Sequence, residues 1–282
     1  MKYEVYFPPN NLRSVVKHFV VIHSLQDLDK LLFLPNGGNF IIFNRGIKAR
    51  TKSFCGTEIT QIPLSYSVSL KSNSVKEVVA KYNYANESKL PIILVELLPL
   101  GFYKLFKKDA SSLQKKYFEL DKQTIKKHFS KLYRHKNIDE ELKYLSVSLT
   151  NMLVPQCGTD LCVNSVVQKI HHEYFDVQVQ DLLNEFNCSR STMERHFKRK
   201  VGLTPKNYIL ISKFSNTLID YVQKKKTFHE LEYIYSDNSH MNATFKKFLG
   251  VAPSDIFLKI HNKEYSIYQI NSLKREKLMN SY

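Results

Sequence analysis

Two stretches of this chain, FKRKVGLTPKNYI (Phe197–Ile209) and FKKFLGVAPSDIF (Phe245–Phe257), repeat one pattern at a constant offset of 48 residues. Phe, Lys, a second base, an aliphatic residue, Gly, an aliphatic residue and Pro recur in the same order. The register extends upstream: Met193 matches Met241, Ser191 matches Ser239, and Ser189 falls opposite Asp237, both good helix N-caps. A duplicated block of this size restricts the region to two copies of one supersecondary unit.

The first copy defines that unit. VQDLLNEF places apolar residues at 179, 182, 183 and 186, the period of a two-turn helix, and Asn187 tolerates the left-handed conformation that ends one. Ser189 then caps a second helix with Met193 and Phe197 on its inner face, so Ser191, Glu194, Arg195 and Lys198 form an outward stripe. Helix, short turn and helix make a helix-turn-helix. Gly202 closes the second helix, Thr204 and Pro205 restart the chain as N-cap and N1, and KNYILISKFSNTLIDYVQ is long enough to separate two such units.

Charge usage singles out the same place. The chain carries 34 Lys but only 8 Arg, and three of those arginines, at 190, 195 and 199, fall in one ten-residue window. A planar five-donor fork matters there more than a point charge. The net charge of +16 favours an anionic partner, nucleic acid first and a membrane surface next. The surplus itself is spread, +5 over residues 1–100, +5 over 101–160 and +6 over 161–282, and so selects no domain.

Cys55, Cys157, Cys162 and Cys188 show neither Cys-x-x-Cys spacing nor a paired His motif, so no metal, zinc or disulfide framework is expected. Adjacent His171 and His172 diverge by about 100° on a helix and read as packing or surface residues. No phosphate-cradling Gly loop or nucleophile elbow occurs, and no cofactor is expected. The start, MKYEVYFPPNN, lacks an apolar core, and PIILVELLPL is too short to span a bilayer, which predicts a cytoplasmic, non-membrane protein.

Along the chain, HFVVIHSL, LLFLP, NFIIFNRG, SYSVSLKS, PIILVELLPL and GFYKLFK all read as strands, making residues 1–110 a β-rich, barrel-like domain. Long-period apolar spacing predicts helices over about 111–153, a helical extension (111–154) suited to self-association. PQCGTD (155–160) marks a boundary, LCVNSVVQKIHHEYF an amphipathic helix, and the polar tail after about 262 is expected to fray. The fold class is therefore α+β: a β-rich domain with its extension, an all-α domain over 160–258 and a tail over 259–282.

The run S-R-S-T-M-E-R-H-F-K-x-x-x-G-L-T-P-x-x-Y, followed by a linker helix and S-D-N-S-H-M-x-x-x-F-K-x-x-x-G-V-x-P-S, resembles the DNA-binding domain of the AraC/XylS family of bacterial transcription regulators. LPNGGNFIIFNRG and VELLPLGFYKLF resemble the N-terminal sensing domains of some members. The resemblance implies two recognition helices in successive major-groove segments. Arg190, Ser191, Glu194 and Arg195 would face base edges from the first, and Asn238, Ser239 and Asn242 from the second, while Lys198, Arg199, Lys200, Lys246 and Lys247 would meet phosphates. It further implies double-stranded DNA, a small-molecule effector, a second copy of the chain and RNA polymerase as partners.

Departures from the family pattern are specific. Leu183 and Glu232 stand where small residues are usual, the second unit has no Gly in ELEYIYSDN and is about two residues short, and Ala243 replaces a usual Arg. The reading is of a regulator, not an enzyme. Two alternatives stay open: a DNA-targeted repair or alkyl-transfer enzyme centred on Cys55, and a protein-docking module whose second unit has lost DNA binding.

Overall fold

Apolar and β-branched runs in the first hundred residues pair into two sheets whose opposite faces bury different cores. The computed structural model describes residues 3–23, 31–44, 50–53, 59–61, 66–70, 76–79, 91–114, 118–153, 163–224, 227–235 and 237–268. Its strands are β1 (Tyr3–Tyr6), β2 (Val16–Ile22), β3 (Leu31–Phe33), β4 (Asn39–Phe43), β5 (Arg50–Ser53), β6 (Ile59–Gln61), β7 (Ser67–Leu70), β8 (Lys76–Val79), β9 (Ile92–Leu97), β10 (Phe118–Glu119) and β11 (Ser266–Ile267). The first sheet runs β1-β2-β9-β4-β7-β10 and the second β11-β3-β8-β5-β6.

Registry sorts the side chains. Val20 and Ile42 both lie opposite Leu94, and Val5 opposite Val20; these residues share one face with Phe33 and Phe40, forming a core between the sheets. One position along, Phe19, Ile41, Phe43, Ile93 and Val95 point to the other face, as the two-residue period of a strand requires. That face is covered by α1 (Gly101–Phe106), α2 (Lys122–His128) and α3 (Ile138–Met152), chiefly through Phe102, Leu105, Phe129, Leu142, Leu145 and Leu149.

Two expectations are corrected here. GFYKLFK is not a strand but α1: its aromatic content suits a pleated surface, yet the i,i+3 pair Phe102 and Leu105 can both reach the outer sheet face only from a helix. Residues 111–154 are not uniformly helical either. A 3-10 turn (Ala110–Gln114) precedes β10, where Phe118 and Glu119 pair with Val68 and Ser67 of β7, so this segment completes the first sheet before α2 begins.

The remaining helices are α4 (Val163–His172), α5 (Val179–Glu185), α6 (Arg190–Val201), α7 (Pro205–Val222), α8 (Phe228–Glu232), α9 (Asn238–Leu249) and α10 (Pro253–His261). Their core is continuous with the β-rich half, because Leu32, Leu34, Leu100 and Ile267 belong to the cluster built around Met193, Phe197, Phe214 and Phe245. Two glycines mark the seam. A Cβ on Gly37 would lie 2.1 Å from the Tyr208 ring, and one on Gly202 would lie 2.7 Å from the Ala110 carbonyl oxygen. Gly202 also has φ +87°, so Gly202→Ala should cost about 1–2 kcal/mol from left-handed strain alone. An unchanged denaturant midpoint would contradict that account.

The tail after 262 corrects a third expectation. Tyr265 is partly buried, β11 pairs in parallel with β3, and Tyr268 is 1% exposed inside the core between the sheets. Its ring stacks on Phe33 at 4.9 Å, and its hydroxyl donates to Glu96 Oε2 at 2.9 Å. Glu96 is itself fully buried; His18 Nδ1 lies 3.4 Å from the same oxygen, and Asn36 Nδ2 donates to Oε1 at 3.2 Å. A buried carboxylate needs such partners, which the polar look of the tail does not reveal. Residues beyond 268, and the 155–160 boundary with Cys157, lie outside the described residues.

Candidate nucleic-acid interface

Local chemistry sets both helix pairs. In the first, the Gln178 side chain and Asp181 form a reciprocal cap on α5, and Lys169 of α4 bridges Glu173 and Glu185 at 2.8 and 2.7 Å. Those hydrogen bonds push the Lys169 ammonium up to about 12. Asn187 adopts φ +43°, the left-handed turn between α5 and α6. Ser189 Oγ then accepts from the Thr192 amide at 3.2 Å, and Gly202 ends the helix.

The second pair repeats this grammar. Thr227 and Glu230 cap α8 reciprocally, Asp237 accepts from the His240 amide at 2.7 Å, and Gly250 with φ +77° closes α9. α6 and α9 are each 12 residues long, and they bury the same register positions, Met193 with Met241, Phe197 with Phe245, Val201 with Leu249. α8 has 5 residues against 7 in α5, which is where the second unit is short.

Both pairs lean on α7. Phe197 meets Tyr208 near its start, edge to face at 5.4 Å, and Phe214 meets Phe245 and Phe248 near its middle at 5.1 and 4.8 Å. An 18-residue helix is about 27 Å long at 1.5 Å per residue, so one rigid rod carries both units. His171, at the exposed end of α4, places its Nε2 2.6 Å from Tyr208 Oη. Desolvation beside Tyr208, with Lys17 adding to it, lowers its pKa.

With the inner faces occupied, the outer faces follow. Arg190, Ser191, Glu194, Arg195, Lys198 and Arg199 are exposed on α6, as are Asn238, Ser239, Asn242, Lys246 and Lys247 on α9. Arg195 stands at the centre of the α6 stripe, and Ala243, exposed, takes the same register position on α9. Lys200 is a correction to the expected phosphate contacts: it is 8% exposed, with its ammonium 5.8 Å from the Tyr103 ring of α1. It lies on the α6 face turned toward the β-rich half. His240 is also exposed on α9, where its ring meets Tyr235 edge to face at 5.5 Å.

Among the described residues no group of three His, Cys, Asp or Glu side chains is gathered that could hold a metal, and no helix is long and apolar enough to cross a membrane. Cys188 is partly buried and its thiol is pushed up by that burial, away from a reactive thiolate. Cys55 lies outside the described residues. A cleft of about 780 Å³ separates the halves, walled by Leu97 and Leu98 on one side and by Gln168, Asn216 and Gln223 on the other.

Two capped helix pairs on one spine, each turning a polar stripe to solvent, define a double helix-turn-helix, a DNA-binding class of domain. Residues 182–258 match the family model described as helix-turn-helix domain. Over 117 residues, 40% of the chain, the sequence is 26% identical to the Msm operon regulatory protein of Streptococcus mutans; the aligned segment spans 42% of that relative. Solved structures of ToxT from Vibrio cholerae are also similar. One covers 91% of this chain and 94% of its own at 12% identity and TM-score 0.40. One with unsaturated fatty acid bound covers 91% of both chains at 13% identity and TM-score 0.39.

Proposed function

We propose that the protein is a sequence-specific transcription regulator that reads the major groove with α6 and α9. The observation that carries this is the repeated pair of capped 12-residue helices, each with its apolar face locked on a shared core and a cationic, hydrogen-bonding face left to solvent. Arg195 reads a guanine through its bidentate fork; Ser191, Glu194, Asn238, Ser239 and Asn242 line the same groove walls. Lys198, Arg199, Lys246 and Lys247 meet phosphates. With Ala243 at the register of Arg195, the second helix contributes spacing and phosphate contacts, and its methyl suits a thymine methyl.

A cleft in the fold supports the effector reading. The cleft between the halves is bordered by both β9 and α7, so a small molecule there would touch the sensing half and the spine of the DNA-binding half together. Self-association through 111–154 is less well supported, since the outward stripe of α3 is Lys143, Val147 and Asn151.

Selection of bound duplexes from a random pool tests the function: a recurring sequence is expected, and retention that ignores both sequence and salt would overturn it. Lys247→Ala should weaken all duplexes alike and shallow the slope of log affinity against log salt by about 0.9, one phosphate's worth. A change confined to one sequence would remove Lys247 from the phosphate set.

A further inference from the structure

The outward stripe of α6 does not end at the end of the helix. Ser191, Arg195 and Arg199 follow one another at four-residue intervals, and the Arg199 guanidinium lies 5.7 Å from the Tyr103 ring of α1. The Lys107 ammonium approaches the same ring at 5.4 Å and Lys200 at 5.8 Å. Three cations from two halves of the protein thus gather at one aromatic ring. Lys108 carries the patch onward, bridging at 4.0 Å to Asp121, beside exposed Lys122 at the start of α2.

Like charges repel, and an aromatic face offsets that only in part. None of the ion pairs among the described residues engages Lys107 or Arg199. The nearby carboxylates have local duties, Asp109 accepting from the Ser111 amide at 2.8 Å and Asp121 from the Thr124 amide at 2.8 Å. The segment is also the densest in charge: residues 101–160 carry the same +5 surplus as the whole of residues 1–100. A cationic ridge that begins on a recognition helix needs a polyanion, and the polyanion lying along that helix is the duplex.

We infer that Lys107, Lys108 and Lys122 of the β-rich half extend the DNA interface, gripping phosphates that flank the segment read by α6. This rests on the DNA-binding reading above. A recognition helix lies within the groove and its end approaches the backbone, so α1, packed at the C-terminal end of α6 through Tyr103, with Ala110 of the following 3-10 turn against Gly202, comes to the groove's edge. Lys107 and Lys108 are exposed, and their removal leaves the core alone.

The test compares the full-length protein with its K107Q/K108Q variant on a selected duplex, once trimmed to the read sequence and once carrying about ten further base pairs on each side, a turn of B-DNA. Wild type should prefer the longer duplex, and the variant should lose that preference. Two phosphates fewer lower the salt slope by about 1.8, so raising salt from about 50 to 200 mM should cost wild type about tenfold more affinity than the variant. Sequence preference should stay the same.

Equal binding by wild type and variant would overturn the inference while leaving the DNA-binding reading intact. Tighter binding by the variant would overturn it differently, showing that the Tyr103 junction holds Arg199 away from DNA. Failure of wild type to bind any duplex would remove the reading beneath it. Lysine-dependent retention on phosphatidylserine vesicles, with duplex binding unchanged, would assign the ridge to a membrane instead.

Discussion

Arg195→Ala is expected to cut discrimination at the base pair that Arg195 reads by about 5- to 150-fold, the equivalent of about 1–3 kcal/mol, with much less effect on nonspecific retention. The argument is geometric. Met193 and Phe197 are fully buried on one side of α6, and residue 195 is carried to the opposite side within the N-terminal half of the helix, the half that meets base edges in a helix-turn-helix. Arg195→Lys keeps the charge and loses the fork, so it should resemble alanine in discrimination and wild type in salt dependence. Competition between the selected duplex and single-base variants measures both, and unchanged discrimination would move base reading off this helix.

The second large effect is structural. Tyr268→Ala should lower the unfolding free energy by about 3–5 kcal/mol, because a large ring is removed from a closed core. Tyr268→Phe keeps the ring and deletes the donor to Glu96, for a loss of about 1–3 kcal/mol. Denaturant unfolding of the full-length chain ranks the three proteins. Two variants as stable as wild type would mean that residues 265–268 are not part of the core between the sheets.

Much of the C-terminal architecture was legible because its signals are local. Ser189, Thr204 and Asp237 cap through side-chain oxygens, Gly202 and Gly250 take positive φ, and Asn187 turns the chain; each of these is a property of one residue and its neighbours. The outward stripe followed from period alone. What stayed hidden depends on partners far along the chain. GFYKLFK has the composition of a strand, and only the sheet beneath it selects the helix. Phe118 and Glu119 interrupt a helical pattern because β7 has an open edge. Lys200 looks like any basic residue on a DNA-binding helix until Tyr103, nearly a hundred positions earlier, is placed over it. The short first helix of the second unit was expected from the family resemblance alone, against whose pattern ELEYIYSDN lacks about two residues.

The parallel pairing of Ser266 and Ile267 with Leu31 and Leu32 bears on how the molecule is made. A ribosome delivers the β-rich half long before it delivers Tyr268, so the space beside Glu96 and Phe33 has to wait, unfilled by its own ring, until the DNA-binding helices have emerged. The two halves therefore do not mature one after the other. A stalled or prematurely terminated chain leaves the early half incomplete, and only translation through Tyr268 closes the core between the sheets.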